Sequence, residues 1–305
     1  SDYQEMLEKE KPALVAITPR WTTLHREYLL ACAAIRAHGI IEKPLASDLT
    51  EADAMVKAIE TGNLKWGIGF NFRALAEIQA LRKAVVEEGL IGEVLEIRSR
   101  GKEDQRAGGE DLIVLGTHIM DLMRFFLGNP LWVSSEITAE GKWVTRRNRR
   151  EATEPVGPVA GDCIHARFGF AGGVTGHFAS VKTKTGPGGR WGLDLYGTKG
   201  VVCVRQNGGA HISLFRSSTW APGKDVSSWE AVPGLPVTTF AEPVAERYSP
   251  IVRDVLDTIG KTEDPRISLQ DGRASLEMIQ GIYAAHLQSA RLTFPLAERK
   301  HPLLD

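Results

Sequence analysis

The chain has 305 residues, 43% hydrophobic and 25% charged, which is enough to bury two cores. A net charge of -1 excludes an overall field that would gather nucleic acid or an anionic membrane surface. Three scattered cysteines, Cys32, Cys163 and Cys203, exclude a disulfide framework and a thiolate zinc site, and no apolar run reaches the length of a membrane span.

Residues 1 to about 90 alternate helix and strand. Positions 3–10 read as the end of a helix, and 13–17 as a strand buried on both faces that stops at Thr18-Pro19. Leu24, Tyr28, Ala31 and Ile35 then fall at helical spacing, with Gly39 as the stop. Ile40-Ile41 begin a short strand ending at Glu42-Lys43-Pro44. Asp48 or Thr50 caps a helix through Ile59, 66–72 is another strand, and 74–88 is an amphipathic helix closed by Gly89. This alternation predicts a parallel, doubly wound sheet.

From Gly92 the pattern changes. Positions 94–100 alternate apolar and polar residues, as in a strand with one wet face. A helix over 111–127 is stopped by Gly128-Asn129-Pro130. Strands follow at 164–170, 174–181, 192–196, 201–205 and 210–216, joined by Gly-rich turns. Positions 217–247 read as an irregular excursion, and helices over 250–260 and 272–290 close the chain. The basic run 146–150, flanked by Glu151 and Glu154, reads as a solvated loop. The fold expected is a partial Rossmann-type parallel sheet, then an α+β domain with a large, mainly antiparallel sheet.

Four strings stand in order: Thr18-Pro19 with His25 and Glu42-Lys43-Pro44; Gly116-Thr117-His118-Ile119-Met120-Asp121; Leu195-Tyr196-Gly197-Thr198-Lys199-Gly200; and Ser268-Leu269-Gln270-Asp271-Gly272-Arg273. With these, nearly the whole chain resembles the Gfo/Idh/MocA (glucose–fructose oxidoreductase/inositol dehydrogenase) family. The resemblance implies the remainder of a dinucleotide-binding domain at 1–91 and a substrate-binding and oligomerisation domain at 92–305. Family members open with a strand, a G-x-G-x-x-G turn, a helix and a second strand, a unit of roughly 30 residues or more. That unit is not in this sequence, so the chain reads as N-terminally truncated, and Gly67-Ile68-Gly69 does not replace it. NAD is therefore not distinguished from NADP, and binding is expected to be impaired in the truncated chain.

The resemblance also implies a site. Lys43 would act at the reacting hydroxyl beside the nicotinamide, lowering its pKa or, as the neutral amine, accepting its proton. His118 would be the proton-transfer partner. The family pattern D-x-G-x-H is broken here, because Val114 stands where the aspartate belongs. Asp121, three residues after His118, is the carboxylate expected to orient the imidazole instead. Thr18, Pro19, Trp21, His25 and Glu42 would join Lys43 at the cofactor, while Asn71, Arg73, Arg100, Asp111 and His118 would line the substrate pocket. Lys102 and Glu110 are further candidates there, and His165 and His177 read as sheet-face residues. No metal is expected, since His118 and Asp121 lack a third ligand at diagnostic spacing.

The expected activity is hydride transfer between NAD(P) and a secondary alcohol of a sugar, polyol or related ring. Two alternatives stay open: redox-neutral glycoside cleavage by transient oxidation, and a non-catalytic binding protein on a decayed oxidoreductase scaffold. A cytoplasmic homodimer or homotetramer joined through the large sheet is expected, without nucleic-acid or membrane partners.

Overall fold

The first sheet comprises β1 (Leu14–Ile17), β2 (His38–Ile41) and β3 (Trp66–Ile68), all parallel, in a computed structural model that describes residues 2–183, 188–206, 210–223, 227–235 and 244–304. It is flanked by α1 (Tyr3–Glu10), α2 (Thr22–Ala34) and α3 (Leu49–Thr61). Asp48 caps α3, its carboxylate accepting from Glu51 N at 2.9 Å. At Gly39 a side chain would run into the Val15 carbonyl, so glycine permits the close β1–β2 approach. One expectation fails here. The apolar run at 13–17 is not buried on both faces, because β1 is an edge strand and Leu14 is 38% exposed. The helix expected over 74–88 is α4 (Ala76–Arg82) followed by a π-helical turn at Lys83–Glu87.

The second sheet is built on β4 (Val94–Arg100), β5 (Trp132–Ala139), β6 (Lys142–Trp143), β9 (Cys163–Gly169), β10 (Thr175–Val181), β11 (Gly192–Gly197), β12 (Gly200–Gln206), β13 (Ala210–Phe215), β14 (Trp229–Ala231) and β15 (Leu292–Thr293). Two short strands, β7 (Arg150–Glu151) and β8 (Pro158–Val159), pair with each other apart from it. The order is β14-β13-β12-β11-β4-β10-β9-β5-β15, with β6 beside β5. Within this sheet β4 and β10 run parallel and the other described pairs are antiparallel. Strand β5 went unpredicted, and β14 lies inside the stretch read as irregular; positions 224–226 and 236–243 of that stretch lie outside the described residues.

Helices cover one face of this sheet. The single helix expected over 111–127 is two, α5 (Gly109–Val114) and α6 (Gly116–Leu127), separated at Leu115. Helix α7 (Val244–Thr258) starts before the predicted position 250. Helix α8 (Leu269–Gln288) opens on a Ser268/Asp271 capping box, is buried along most of its length, and packs on β5 and α6. Both α7 and α8 return to the first sheet, and Ile68 N donates to the Ile267 carbonyl at 3.2 Å. That return brings residues over 200 positions apart around the carboxyl ends of β2 and β3. No described helix is long and apolar enough to cross a membrane.

Candidate active site

Lys43 follows β2 at the carboxyl end of the parallel sheet, where open α/β sheets place ligands. Its amide donates to the Glu42 carboxylate at 3.0 Å, and Glu42 N donates to the Ile17 carbonyl at 2.9 Å. The Glu42 carboxylate lies above Gly69, within 3.4 Å of where a Cβ would stand, so any side chain there would crowd it. Its other oxygen accepts from the Tyr248 hydroxyl, carried in from α7. These contacts fix the loop and leave the Lys43 side chain buried, 6% exposed.

The Lys43 ammonium reaches across to the second sheet's helices. Nζ donates to the Val114 carbonyl at 2.8 Å. The break between α5 and α6 makes this bond available. In an unbroken helix the Val114 carbonyl would accept from His118 N. Here His118 N donates to Leu115 O at 3.2 Å instead, freeing Val114 O. The same Leu115 carbonyl also accepts from Trp191 Nε1 at 3.3 Å. Burial draws the Lys43 pKa down to about 8, with Glu42 opposing the shift.

His118 sits in the first turn of α6, 9% exposed, its ring edge-on to Phe70 with 5.7 Å between centroids. Burial first, then the charge of Lys43, holds its pKa well below the usual histidine range, so the ring is neutral at physiological pH. Its Nδ1 is buried without a hydrogen-bond partner among the described residues. Lys43 and His118 both line a cavity of about 220 Å³, with Asn71, Trp191 and Tyr248 on its wall. Arg20 and Arg247 stand there too, Arg20 paired with Glu154 at 3.1 Å. A buried amine beside a neutral imidazole over one small cavity is equipped to exchange a proton with a hydroxyl and to hold its oxygen.

The other expected residues divide. Asn71 lines the cavity, as does Glu42. Asp121 does not orient His118. It pairs with Arg73 at 2.8 Å, and burial lifts its pKa to about 6. Arg73 likewise lies off the cavity: it also bonds Asp271 at 3.1 Å and the Arg266 carbonyl at 2.7 Å, with its guanidinium over Phe125, tying α6 to α8. Asp111 is fully buried, accepting from the amides of Lys102 and Glu103 and from the Ser180 hydroxyl; it latches the turn after β4 rather than facing the cleft. Glu110 accepts from Thr153 and also lies outside the cavity. Arg100 pairs with Glu103 at 2.7 Å on the open face of the large sheet, where a shallow cavity of about 780 Å³ also holds His165 and His177. Lys102 pairs with Asp104 at 3.4 Å.

At the cofactor side, His25 is buried, its ring nitrogens 3.0 and 2.7 Å from the carbonyls of Leu45 and Pro19. It pins the loop after β1 to the loop after Pro44 and offers no free nitrogen to a ligand. Thr18 is exposed, Trp21 is 51% exposed, and neither they nor Pro19 line the cavity. Trp191, Tyr248 and the Val114 carbonyl were missed. A tryptophan after Gly188-Gly189-Arg190 and a tyrosine at the edge of the irregular stretch carry no motif, and a backbone carbonyl leaves no mark in the sequence.

A family profile described as "Oxidoreductase family, C-terminal alpha/beta domain" matches residues 83–294, and one described as "Oxidoreductase family, NAD-binding Rossmann fold" matches residues 1–70. The chain belongs to the Gfo/Idh/MocA oxidoreductase family. Within it, levoglucosan dehydrogenase of Pseudarthrobacter phenanthrenivorans is 27% identical over 227 residues, covering 66% of this chain and 57% of that protein. D-apiose dehydrogenase of Rhizobium rhizogenes is 31% identical over 192 residues, covering 60% of this chain and 52% of that protein. Myo-inositol 2-dehydrogenase of Thermotoga maritima is 31% identical over 127 residues, covering 39% and 37%. The matched segments thus span about half the length of these relatives or less. In three dimensions, levoglucosan dehydrogenase in complex with NADH and levoglucosan superposes with a TM-score of 0.77 at 21% identity, over 97% of this chain and 84% of that one. An NAD-binding oxidoreductase from Klebsiella pneumoniae gives 0.75 at 18% identity, over 96% and 83%. These likenesses establish the shared fold.

Proposed function

We propose that this Gfo/Idh/MocA protein is an NAD(P)-dependent oxidoreductase acting on a secondary alcohol of a sugar, polyol or related ring. The observation that carries the reading is the meeting of Lys43 and His118, from separate sheets, over one cavity. The cavity, about 220 Å³, is below the roughly 300–1,000 Å³ typical of drug-sized ligand sites and suits a single small ring. Asn71 and Trp191 supply a polar contact and an apolar wall for it.

The residues present fit the nicotinamide end of a dinucleotide. They sit at the carboxyl ends of three parallel strands, with Thr18, Pro19 and Trp21 on the surface after β1 and Glu42-Lys43 after β2. The 305 residues contain no glycine-rich turn from strand to helix that would hold a pyrophosphate. When bound, the nicotinamide supplies the hydride acceptor for oxidation and the donor for reduction. Lys43 Nζ exchanges the substrate hydroxyl proton; as the neutral amine it keeps one hydrogen on Val114 O and turns its lone pair to the cavity. His118 holds the same substrate oxygen.

A pH profile tests this. With the Lys43 pKa drawn down to about 8, the reactive amine forms as pH rises through 8. Initial rates of alcohol oxidation, as kcat/KM between pH 6 and 10, should climb with one midpoint near 8. A flat profile would remove Lys43 from proton transfer. For assembly, we infer pairing of copies through the open face of the large sheet, where Arg98, Arg167 and Arg205 alternate with Glu96, Glu136 and Asp194. Sedimentation should show a dimer or tetramer that weakens at high salt; a monomer at all protein concentrations would refute it.

A further inference from the structure

We infer that His118 carries its proton on Nε2 and faces the cavity as a hydrogen-bond donor, so that it holds the substrate oxygen and Lys43 alone exchanges the proton. The inference rests on the oxidoreductase reading for its substrate, though the tautomer itself is fixed by the protein.

Three observations carry it. First, Nδ1 is fully buried and no atom among the described residues accepts from it. A neutral imidazole has one N–H and one bare nitrogen. A buried N–H without an acceptor is the rarer defect in folded proteins, so the bare nitrogen belongs at Nδ1 and the hydrogen at Nε2. Second, the groups that might have taken an Nδ1 hydrogen are absent, committed or make no bond to it. One turn before His118 stands Val114, whose side chain has no acceptor and whose carbonyl is occupied by Lys43 Nζ at 2.8 Å. Asp121, on the same helix, gives Oδ1 to Arg73 at 2.8 Å, and its Oδ2 is buried without a bond to the imidazole or to any other described group. The neighbouring ring is Phe70, which presents no acceptor oxygen. Third, the imidazole lines the same cavity as Lys43 while its Nδ1 is sealed off, which leaves Nε2 to meet a ligand.

The chemical consequence is a division of labour. A carboxylate beside Nδ1 would leave Nε2 bare and make the imidazole a base. With Val114 there, Nε2 already bears its hydrogen and has no lone pair left to take a proton; the ring could gain one only at the sealed Nδ1, as a buried cation beside Lys43. It donates to the substrate oxygen in both the alcohol and the ketone, and more strongly as charge gathers on that oxygen. The hydroxyl proton goes to the Lys43 amine, where one O–H bond breaks and one N–H bond forms.

Long-range proton–nitrogen NMR on protein labelled with nitrogen-15 at its histidine rings decides the matter without turnover. The chain has eight histidines, and His118→Gln identifies the signal by its loss. Between pH 6 and 8 His118 should show a protonated Nε2, a bare Nδ1 and no titration. A hydrogen on Nδ1, or a ring that charges in this range, would overturn the inference. Val114→Asp should move the hydrogen to Nδ1, and an unchanged tautomer in a folded variant would contradict the argument from Val114. In turnover, His118→Gln, whose amide nitrogen reaches the Nε2 position, should stay within about tenfold of wild type, while His118→Leu falls at least about a hundredfold. Equal losses would refute the donor role. If the NMR holds and no alcohol is oxidised, the redox reading fails and the tautomer stands.

Discussion

Lys43→Met should lower turnover of a sugar or polyol by about 10²–10⁴-fold, the usual contribution of a positioned acid–base group, with little change in stability. The stability half of this expectation follows from the pKa. Lys43 is buried and its pKa is lowered from 10.5 to about 8. A lowered folded-state pKa for a lysine means that stability is fully present above 10.5 and is lost as pH falls through 8. At pH 7 the amine is charged and its burial is a cost. Methionine removes that cost, a gain of roughly 1–3 kcal/mol, but leaves the Val114 carbonyl unpaired, a loss of roughly 1–3 kcal/mol. The two nearly cancel, so urea unfolding at pH 7 should give midpoints close to wild type. A variant with lost turnover and a collapsed midpoint would make Lys43 structural.

The second large effect is at Asp121, and it is on stability. Asp121 and Arg73 are buried together, 1% and 12% exposed at their side chains, with Asp271 completing the cluster. Asp121→Ala leaves Arg73 without its deepest partner. Breaking a buried pair from one side typically costs about 3–5 kcal/mol. The cluster ties α6 to α8, so the loss should appear as cooperative destabilisation in urea, not as a local fraying. Replacing both partners, Asp121→Leu with Arg73→Met, should recover much of the loss. Turnover per folded molecule should remain within severalfold of wild type, because neither side chain lines the Lys43 cavity. A hundredfold fall in turnover at unchanged stability would restore Asp121 to the chemistry.

These two residues show what the sequence could and could not say. Lys43 was legible because Glu42-Lys43-Pro44 follows an apolar run, and the end of a buried parallel strand is where ligands gather. His118 was legible from the helix start at Gly116. Asp121 was misread because spacing along one helix counts only that helix; Arg73, 48 residues earlier, approaches from another element and takes the carboxylate. Asp111 and Arg73 were expected at the pocket and lie off it for a similar reason, since charged residues near a cleft were assigned to it before their own backbone and ion-pair partners were known. His25 was expected at the cofactor and is instead a buried brace between two carbonyls.

The overall architecture followed from periodicity, which changes from helix–strand alternation to two-residue alternation near Gly92. The break at Leu115 did not. Nothing at that position forbids a helix, and the interruption is seen only in the bonds it redirects: His118 N to Leu115 O, and Val114 O to Lys43. Strand β5 was missed because Ser134-Ser135-Glu136 interrupts its apolar pattern, although β9 and β15 pair on either side of it. Tyr248 reached the site because α7 folds back on the first sheet, a contact across 206 positions from Glu42.

The most direct test of the central claim is the absorbance of reduced nicotinamide when NAD⁺ or NADP⁺ and a panel of sugars and polyols are given to wild type and Lys43→Met at pH 7 and pH 9. The account predicts accumulation with at least one ring alcohol, faster at pH 9, and none above background in the variant. Equal accumulation by the two proteins, or consumption of a sugar with no change in the cofactor band, would contradict it.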